Sequence, residues 1–121
     1  MKFTGVLVNL DGQPDSFGDI IDSSCEIDIA KDIKVTHEFN NGPESFLGVA
    51  NLIRESDVVK YEIDIKVDKI PDGLLKLLVP CVGGSIKQRD GKKITKCTFN
   101  SIGLSIEGNA DPRIKPLGEQ K

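Results

Sequence analysis

Aromatic side chains and histidine are scarce in this sequence of 121 residues. It contains no Trp, one Tyr and five Phe, and its single histidine is His37. Proteins that bind nucleic acid neutralise phosphates with clustered Lys and Arg, and many stack bases on aromatic rings. Because the formal net charge is −3, the composition argues against a nucleic-acid partner.

Cysteine and long apolar runs are also limited. The three cysteines, Cys25, Cys81 and Cys97, include no CxxC pair, and a zinc site would need all of them with His37 at a spacing unlike that of compact zinc motifs. We therefore predict free thiols, no metal and no cofactor. No stretch approaches about 20 apolar residues, and the first apolar run is too short for a signal peptide. These features predict a soluble cytoplasmic protein with no membrane contact.

The sequence does contain a clear strand pattern. Over residues 58–67, Val59, Tyr61, Ile63 and Ile65 alternate with polar residues, which is typical of a half-buried strand. Further strands are predicted at 3–10, 25–30, 33–39, 46–55, 81–88 and 92–108, with turns at the Lys-Asp pair 31–32, at 56–57 and at 89–92. Residues 11–22 and 40–45 are predicted loops. Leucines at helical spacing predict one short helix within 71–80, ended by Pro80.

This inventory predicts a mainly β (α+β) domain with one or two short helices. Its six or seven strands would form a small, mostly antiparallel β-barrel or sheet. The domain would span residues 1–108. The polar, proline-bearing residues 109–121 are predicted to form a loosely held C-terminal tail.

His37 and Ser85 are the candidate catalytic pair. A single histidine at a strand end is most often a solvated polar residue, yet histidine is also the commonest general base because its pKa lies near neutrality. Ser85 follows Gly83 and Gly84, which could let a backbone approach a substrate or form an oxyanion-binding turn, although such glycines are usually turn formers. Cys81 is a weaker candidate nucleophile, since its apolar neighbours favour an inert thiol.

The order of several motifs resembles the prohead serine proteases of tailed phages, whose fold is shared with the herpesvirus assemblins. The resemblance begins with "GVLVNLDGQPDSFGDIID", which carries an Asp-Ser-x-Gly-Asp turn at 15–19. It continues with His37 at a strand end, the hairpin "FLGVANLIRESDVVKYEIDI" and the leucine-rich segment "LLKLLVPCVGGSIK" that contains Ser85. It ends with "IGLSIEGNADPRI", which supplies Ala110, Asp111 and Pro112.

The resemblance implies a prohead-protease-like or assemblin-like β-barrel with the activity of a serine endopeptidase. Ser85 would be the nucleophile and His37 the general base, and Asp111 and Glu107 are the candidates for the third member. Glu38 is adjacent to His37 but would point to the opposite face of the strand. The oxyanion and substrate region would comprise Gly83, Gly84, Ile86 and Lys87. Arg89 is a further candidate contributor.

The family resemblance also implies partners and a location. The substrates would be the scaffold and major capsid proteins of an assembling prohead, and the protease itself. The chain would work in the cytoplasm of a bacterial host, within or on the prohead, encoded by a phage or a prophage. A homo-oligomer is expected only by analogy with the dimeric assemblins.

Three departures from the family pattern keep other functions open. Lys87 stands where the family has glycine, and Ile102 and Gly103 stand where an acidic residue is expected in the last strand. The string "GLSI", which resembles the family's nucleophile motif, stands at 103–106 around Ser105, but too few residues follow it for the closing strand. The alternatives are a catalytically inactive relative that serves as a structural or assembly component of the phage head, and an unrelated β-domain that binds a partner.

Overall fold

The computed structural model describes residues 1–40 and 42–119. Within these residues the chain forms six strands and one α-helical turn, with 3-10 turns at Pro43–Ser45 and Leu117–Glu119. The elements are β1 (Lys2–Asn9), β2 (Glu26–His37), β3 (Phe46–Arg54), β4 (Val58–Ile65), α1 (Asp72–Leu75), β5 (Val79–Asp90) and β6 (Lys93–Ser105).

All six strands belong to one sheet, in the order β1-β4-β3-β2-β6-β5. Every neighbouring pair is antiparallel except β2 and β6, which run parallel. The sheet curls into a half-barrel with β1 and β5 at its two edges. The predicted β-rich and mostly antiparallel fold is therefore confirmed.

The β3–β4 hairpin follows the prediction closely. Val59, Tyr61, Ile63 and Ile65 of β4 are all buried, whereas the residues between them are at least partly exposed. The alternation is visible in the sequence because one face of this strand forms the core and the other meets solvent.

The predicted turn at residues 31–32 is wrong, because β2 runs without interruption from Glu26 to His37. The pairing of β2 with β6 shifts register between Ile29 and Lys34, so the Lys-Asp pair lies at a bulge inside one long strand. A bulge leaves a polar interruption in the alternation, as a turn does. The sequence alone does not distinguish the two.

The predicted helix is present but shorter than expected. Only Asp72–Leu75 are α-helical, and Pro80 lies inside β5 instead of ending a helix. Leu75 and Leu78 are buried, while Leu74 and Leu77 are exposed. A proline is tolerated in β5 because this is an edge strand.

The C-terminal residues are packed rather than loosely held. Ile114 and Leu117 are buried, and Leu117 belongs to the main core cluster. The backbone amides of Leu117 and Gly118 donate to the carbonyls of Leu78 and Lys76, which follow α1. The segment therefore closes one end of the half-barrel, which its polar composition did not indicate.

Candidate functional site

His37 lies at the C-terminal end of β2, where its side chain is exposed. It is in register with Leu104 of β6, and the next residue, Glu38, donates its backbone amide to the Leu104 carbonyl. Glu38 and Phe39 both have positive φ, at 53° and 60°. Positive φ is uncommon for residues other than glycine, and here it turns the chain sharply out of β2.

Ser85 lies in the outer half of β5, and its side chain is also exposed. It is in register with Thr98 of β6. The strand continues through Gly83 and Gly84, and neither residue has positive φ. The two glycines therefore form no oxyanion-binding turn; they lie within β5, at a bulge where its pairing with β6 shifts register between Gly83 and Gly84.

The two glycines allow close packing. A Cβ atom added at Gly84 would meet the Thr98 carbonyl oxygen across the strand pair, and one added at Gly83 would lie 2.6 Å from the Phe39 ring. Their lack of side chains thus serves the packing of β5 against β6 and of Phe39 against the sheet.

The structure does not bring His37 and Ser85 together. Their partners on β6, Leu104 and Thr98, are six residues apart (104 − 98). Six residues of extended strand span about 20 Å. The two residues also lie on opposite sides of β6, because β2 and β5 flank that strand. A proton transfer needs a separation near 3 Å or one bridging water, so the predicted dyad is not assembled in this structure.

Asp111 is engaged by other groups. Its carboxylate accepts hydrogen bonds from Asn9 Nδ2 at 3.0 Å and from Arg113 Nε at 3.0 Å. Burial raises the pKa of Asp111, but the hydrogen bonds from Arg113 and Asn9 outweigh it and hold the pKa below its usual value. The carboxylate is thus an ion-pair partner of Arg113, and none of its hydrogen bonds goes to His37.

The remaining site candidates are dispersed. Ile86, Lys87 and Glu107 are exposed. Arg89 forms an ion pair with Asp19, with Nη1 2.8 Å from Oδ1. None of these contacts places a charged or polar group beside both His37 and Ser85.

Cys81, the alternative nucleophile, is half-buried and its thiol lies 3.1 Å from the Gly108 carbonyl oxygen. Burial raises the pKa of this thiol. A protonated thiol is a poor nucleophile, so the environment of Cys81 favours the inert role that its apolar neighbours predicted.

Two of the motifs that carry the family resemblance, the Asp-Ser-x-Gly-Asp turn and the Ala-Asp-Pro segment, contact each other. The amide of Ser16 donates to the Ala110 carbonyl, and Asp15 accepts hydrogen bonds from the backbone amides of Phe17 and Asp19. The Ser16 contact holds the loop after β1 against the segment after β6, and the Asp15 contacts order that loop internally.

Arg113 adds to these contacts and was missed by the sequence analysis. It binds Asp111 and also donates to Asp11, with Nη1 2.6 Å from Oδ2. The sequence around Asp111 and Arg113 did not indicate that Asp11, which lies 102 positions before Arg113, would also bind it.

A cavity of about 250 Å³ lies between the two edges of the sheet. Its lining includes the apolar residues Leu7, Val82 and Phe99 and the polar residues Asn9 and Asp111. Neither His37 nor Ser85 lines it.

Between residues 1 and 119, Asn41 aside, no three His, Cys, Asp or Glu side chains cluster so that they could hold a metal ion. In the same part of the chain no helix has the length and apolarity needed to cross a membrane.

Comparison with protein-family models, with curated proteins and with solved structures finds no match. The resemblance to the prohead proteases therefore rests on the motifs in the sequence.

Proposed function

We propose that this chain is a non-catalytic relative of the prohead proteases, with an assemblin-like half-barrel, that acts as a structural or assembly component of a phage head. The observation that carries the proposal is the separation of His37 from Ser85, about 20 Å along β6. A member of the fold with its base and nucleophile this far apart would keep the architecture without the chemistry.

The contacts of the resembling motifs support the same proposal. The Ser16 amide of the Asp-Ser-x-Gly-Asp turn donates to the Ala110 carbonyl, and Arg113 links Asp111 to Asp11 of the same loop. Motif residues that stabilise the fold would be retained in a relative that no longer cleaves peptides.

The experiment is in vitro assembly of the scaffold and major capsid proteins of the same phage in the presence of this chain. We expect the chain to sediment with the assembled shells, and the double variant His37→Ala, Ser85→Ala to sediment equally well. Failure of the wild-type chain to associate with scaffold, capsid protein or shells would contradict an assembly role.

The second candidate is the serine endopeptidase, which the exposure of both His37 and Ser85 favours. A fluorophosphonate probe distinguishes the two functions, because it labels only an activated serine. We expect no adduct at Ser85, with or without the capsid and scaffold proteins. Labelling of the wild type that is lost in Ser85→Ala, together with cleavage of scaffold by the wild type alone, would establish the peptidase instead.

A further inference from the structure

Two of the three thiols lie side by side in the interior. Cys25 and Cys97 are 2% and 3% exposed, and their Sγ atoms are 3.9 Å apart although the residues are separated by 72 positions. Cys25 immediately precedes β2 and Cys97 lies in β6, the strand that pairs in parallel with β2. Both belong to the second core cluster, with Leu10, Val59 and Phe99.

Arg54 fixes the backbone beside this pair. Its guanidinium donates to the carbonyl of Cys25 at 2.6 Å and to that of Ser23 at 2.7 Å. Cys25 is therefore tied to β3 through Arg54, and the pairing of the next residue, Glu26, with Lys96 places it beside β6. A disulfide needs the two side chains to be held within reach, and this arrangement supplies that condition.

We propose that Cys25 and Cys97 form a redox-modification site, in which a small peroxide closes a reversible disulfide that ties the start of β2 to β6. This inference is independent of the proposed role in the phage head. The two Sγ atoms must approach from 3.9 Å to about 2 Å, which requires rotation of both side chains and a shift of the backbone at Cys25, just before β2 begins.

The chemistry balances with hydrogen peroxide as the oxidant. One thiolate attacks a peroxide oxygen, which breaks the O–O bond and gives a sulfenic acid and a hydroxide. The second thiolate attacks the sulfenic sulfur and displaces another hydroxide, and the two protons released by the thiols convert both hydroxides into water. The two sulfur atoms lose two electrons in total, and the peroxide gains them.

The environment predicts a slow reaction. Burial raises the pKa of Cys25 and that of Cys97, the latter to about 12, and the nearby Arg54 charge opposes the shift in both. Thiols that stay protonated react slowly, so the site would respond to sustained oxidation and not to brief exposure.

Cys81 provides a matched control. It is in register with Gly103 of β6, six residues from Cys97 (103 − 97), which corresponds to about 20 Å. A bond from Cys81 to either of the other thiols is therefore not expected in the folded protein. The variants Cys81→Ser and Cys97→Ala separate the proposed pair from the third thiol.

The test is peptide mapping of the purified chain, without reduction, after incubation with hydrogen peroxide. We expect a Cys25–Cys97 cross-linked peptide in the wild type and in Cys81→Ser, and none in Cys97→Ala. The oxidised protein should melt roughly 10 °C higher than the reduced protein, because the bond closes a long loop in the unfolded state, and dithiothreitol should reverse the shift.

A second experiment avoids the slow access of the oxidant to the buried thiols. The reduced chain is unfolded in urea and refolded in a mixture of reduced and oxidised glutathione, so that the thiols meet the oxidant before they are buried. A Cys25–Cys97 bond in the major refolded species supports the proposal. Failure of both routes to form the bond, or preferential pairing of Cys81, would overturn it.

Discussion

The ring of Phe39 lies against Gly103, and a Cβ atom added at this glycine would sit 2.6 Å from Phe39 Cε2. The ring also lies against Gly83 of the neighbouring strand, so it covers two positions of the sheet that lack side chains. The positive φ angles of Glu38 and Phe39 bring the ring there. Such angles cost of order 1–3 kcal/mol each, and the packing of the ring helps to offset this cost.

Substituting Gly103→Ala should therefore lower the free energy of unfolding by about 1–3 kcal/mol, as expected for overpacking. The substitution Phe39→Ala removes the ring that the new methyl group would meet. In the double variant the cost of Gly103→Ala should mostly disappear, so a double-mutant cycle in urea should show coupling. Gly73→Ala is the control, since nothing lies within 4 Å of its added Cβ. Additive effects of Gly103→Ala and Phe39→Ala would contradict the contact.

Features encoded within one short segment of the sequence could be predicted, whereas pairings between distant segments could not. The alternation in β4 lies within eight residues and was predicted correctly. The parallel pairing of β2 with β6 joins His37 to Leu104 across most of the chain, and no local pattern encodes it. The location of His37 at a strand end and of Ser85 within a strand was predicted, but their separation follows from two strand registers on β6, which no local sequence pattern encodes.

Salt should weaken the contact between an acidic and a basic part of the chain. Residues 11–30 contain six acidic and no basic residues, whereas 86–96 contain five basic and one acidic. Arg89 binds Asp19 and Lys93 binds Asp22 between these segments. We expect Arg89→Gln to lower the urea midpoint at low ionic strength and to have little effect near 1 M NaCl, where the Debye length is about 3 Å.

The Lys60–Glu55 pair is the control for that experiment. It joins neighbouring residues of the β3–β4 hairpin and is about half exposed at both ends. Exposed ion pairs contribute little to stability, so Lys60→Gln should change the midpoint less than Arg89→Gln does at low salt. Equal effects of the two substitutions would indicate that the charge contrast between the segments has no role.

Acid should destabilise the fold partly through Asp22. Hydrogen bonds from Ser24 and Lys93 lower its pKa to about 2. Because the folded pKa lies below the unfolded value, this carboxylate contributes stability that is present above about pH 4 and is lost as the pH falls towards 2. Urea unfolding between pH 5 and 2 should show a shallower loss of stability in Asp22→Asn than in the wild type. Parallel curves would contradict the assignment.

Removing the Tyr61 hydroxyl should not destabilise the protein. The Tyr61 side chain is fully buried, and its hydroxyl has no hydrogen-bond partner among the described residues. A buried polar group without a partner carries a desolvation cost. Tyr61→Phe should therefore leave the free energy of unfolding unchanged or raise it by up to about 1 kcal/mol, whereas Tyr61→Ala should lower it by about 3–5 kcal/mol. A loss above about 1 kcal/mol in Tyr61→Phe would reveal a partner for the hydroxyl.

The C-terminal segment should prove necessary for stability, contrary to its polar composition. Leu117 is 2% exposed, and its backbone amide donates to the carbonyl of Leu78, at 2.9 Å. Leu117→Ala should therefore lower the free energy of unfolding by about 2–5 kcal/mol, as for other buried leucines. Glu119→Ala is the matched control, because Glu119 lies in the same 3-10 turn but is exposed, and it should change stability by less than about 0.5 kcal/mol. Urea denaturation measures both variants. If Leu117→Ala behaves like Glu119→Ala, the segment is not part of the folded core, and the half-barrel would have to be closed at that end by α1 alone.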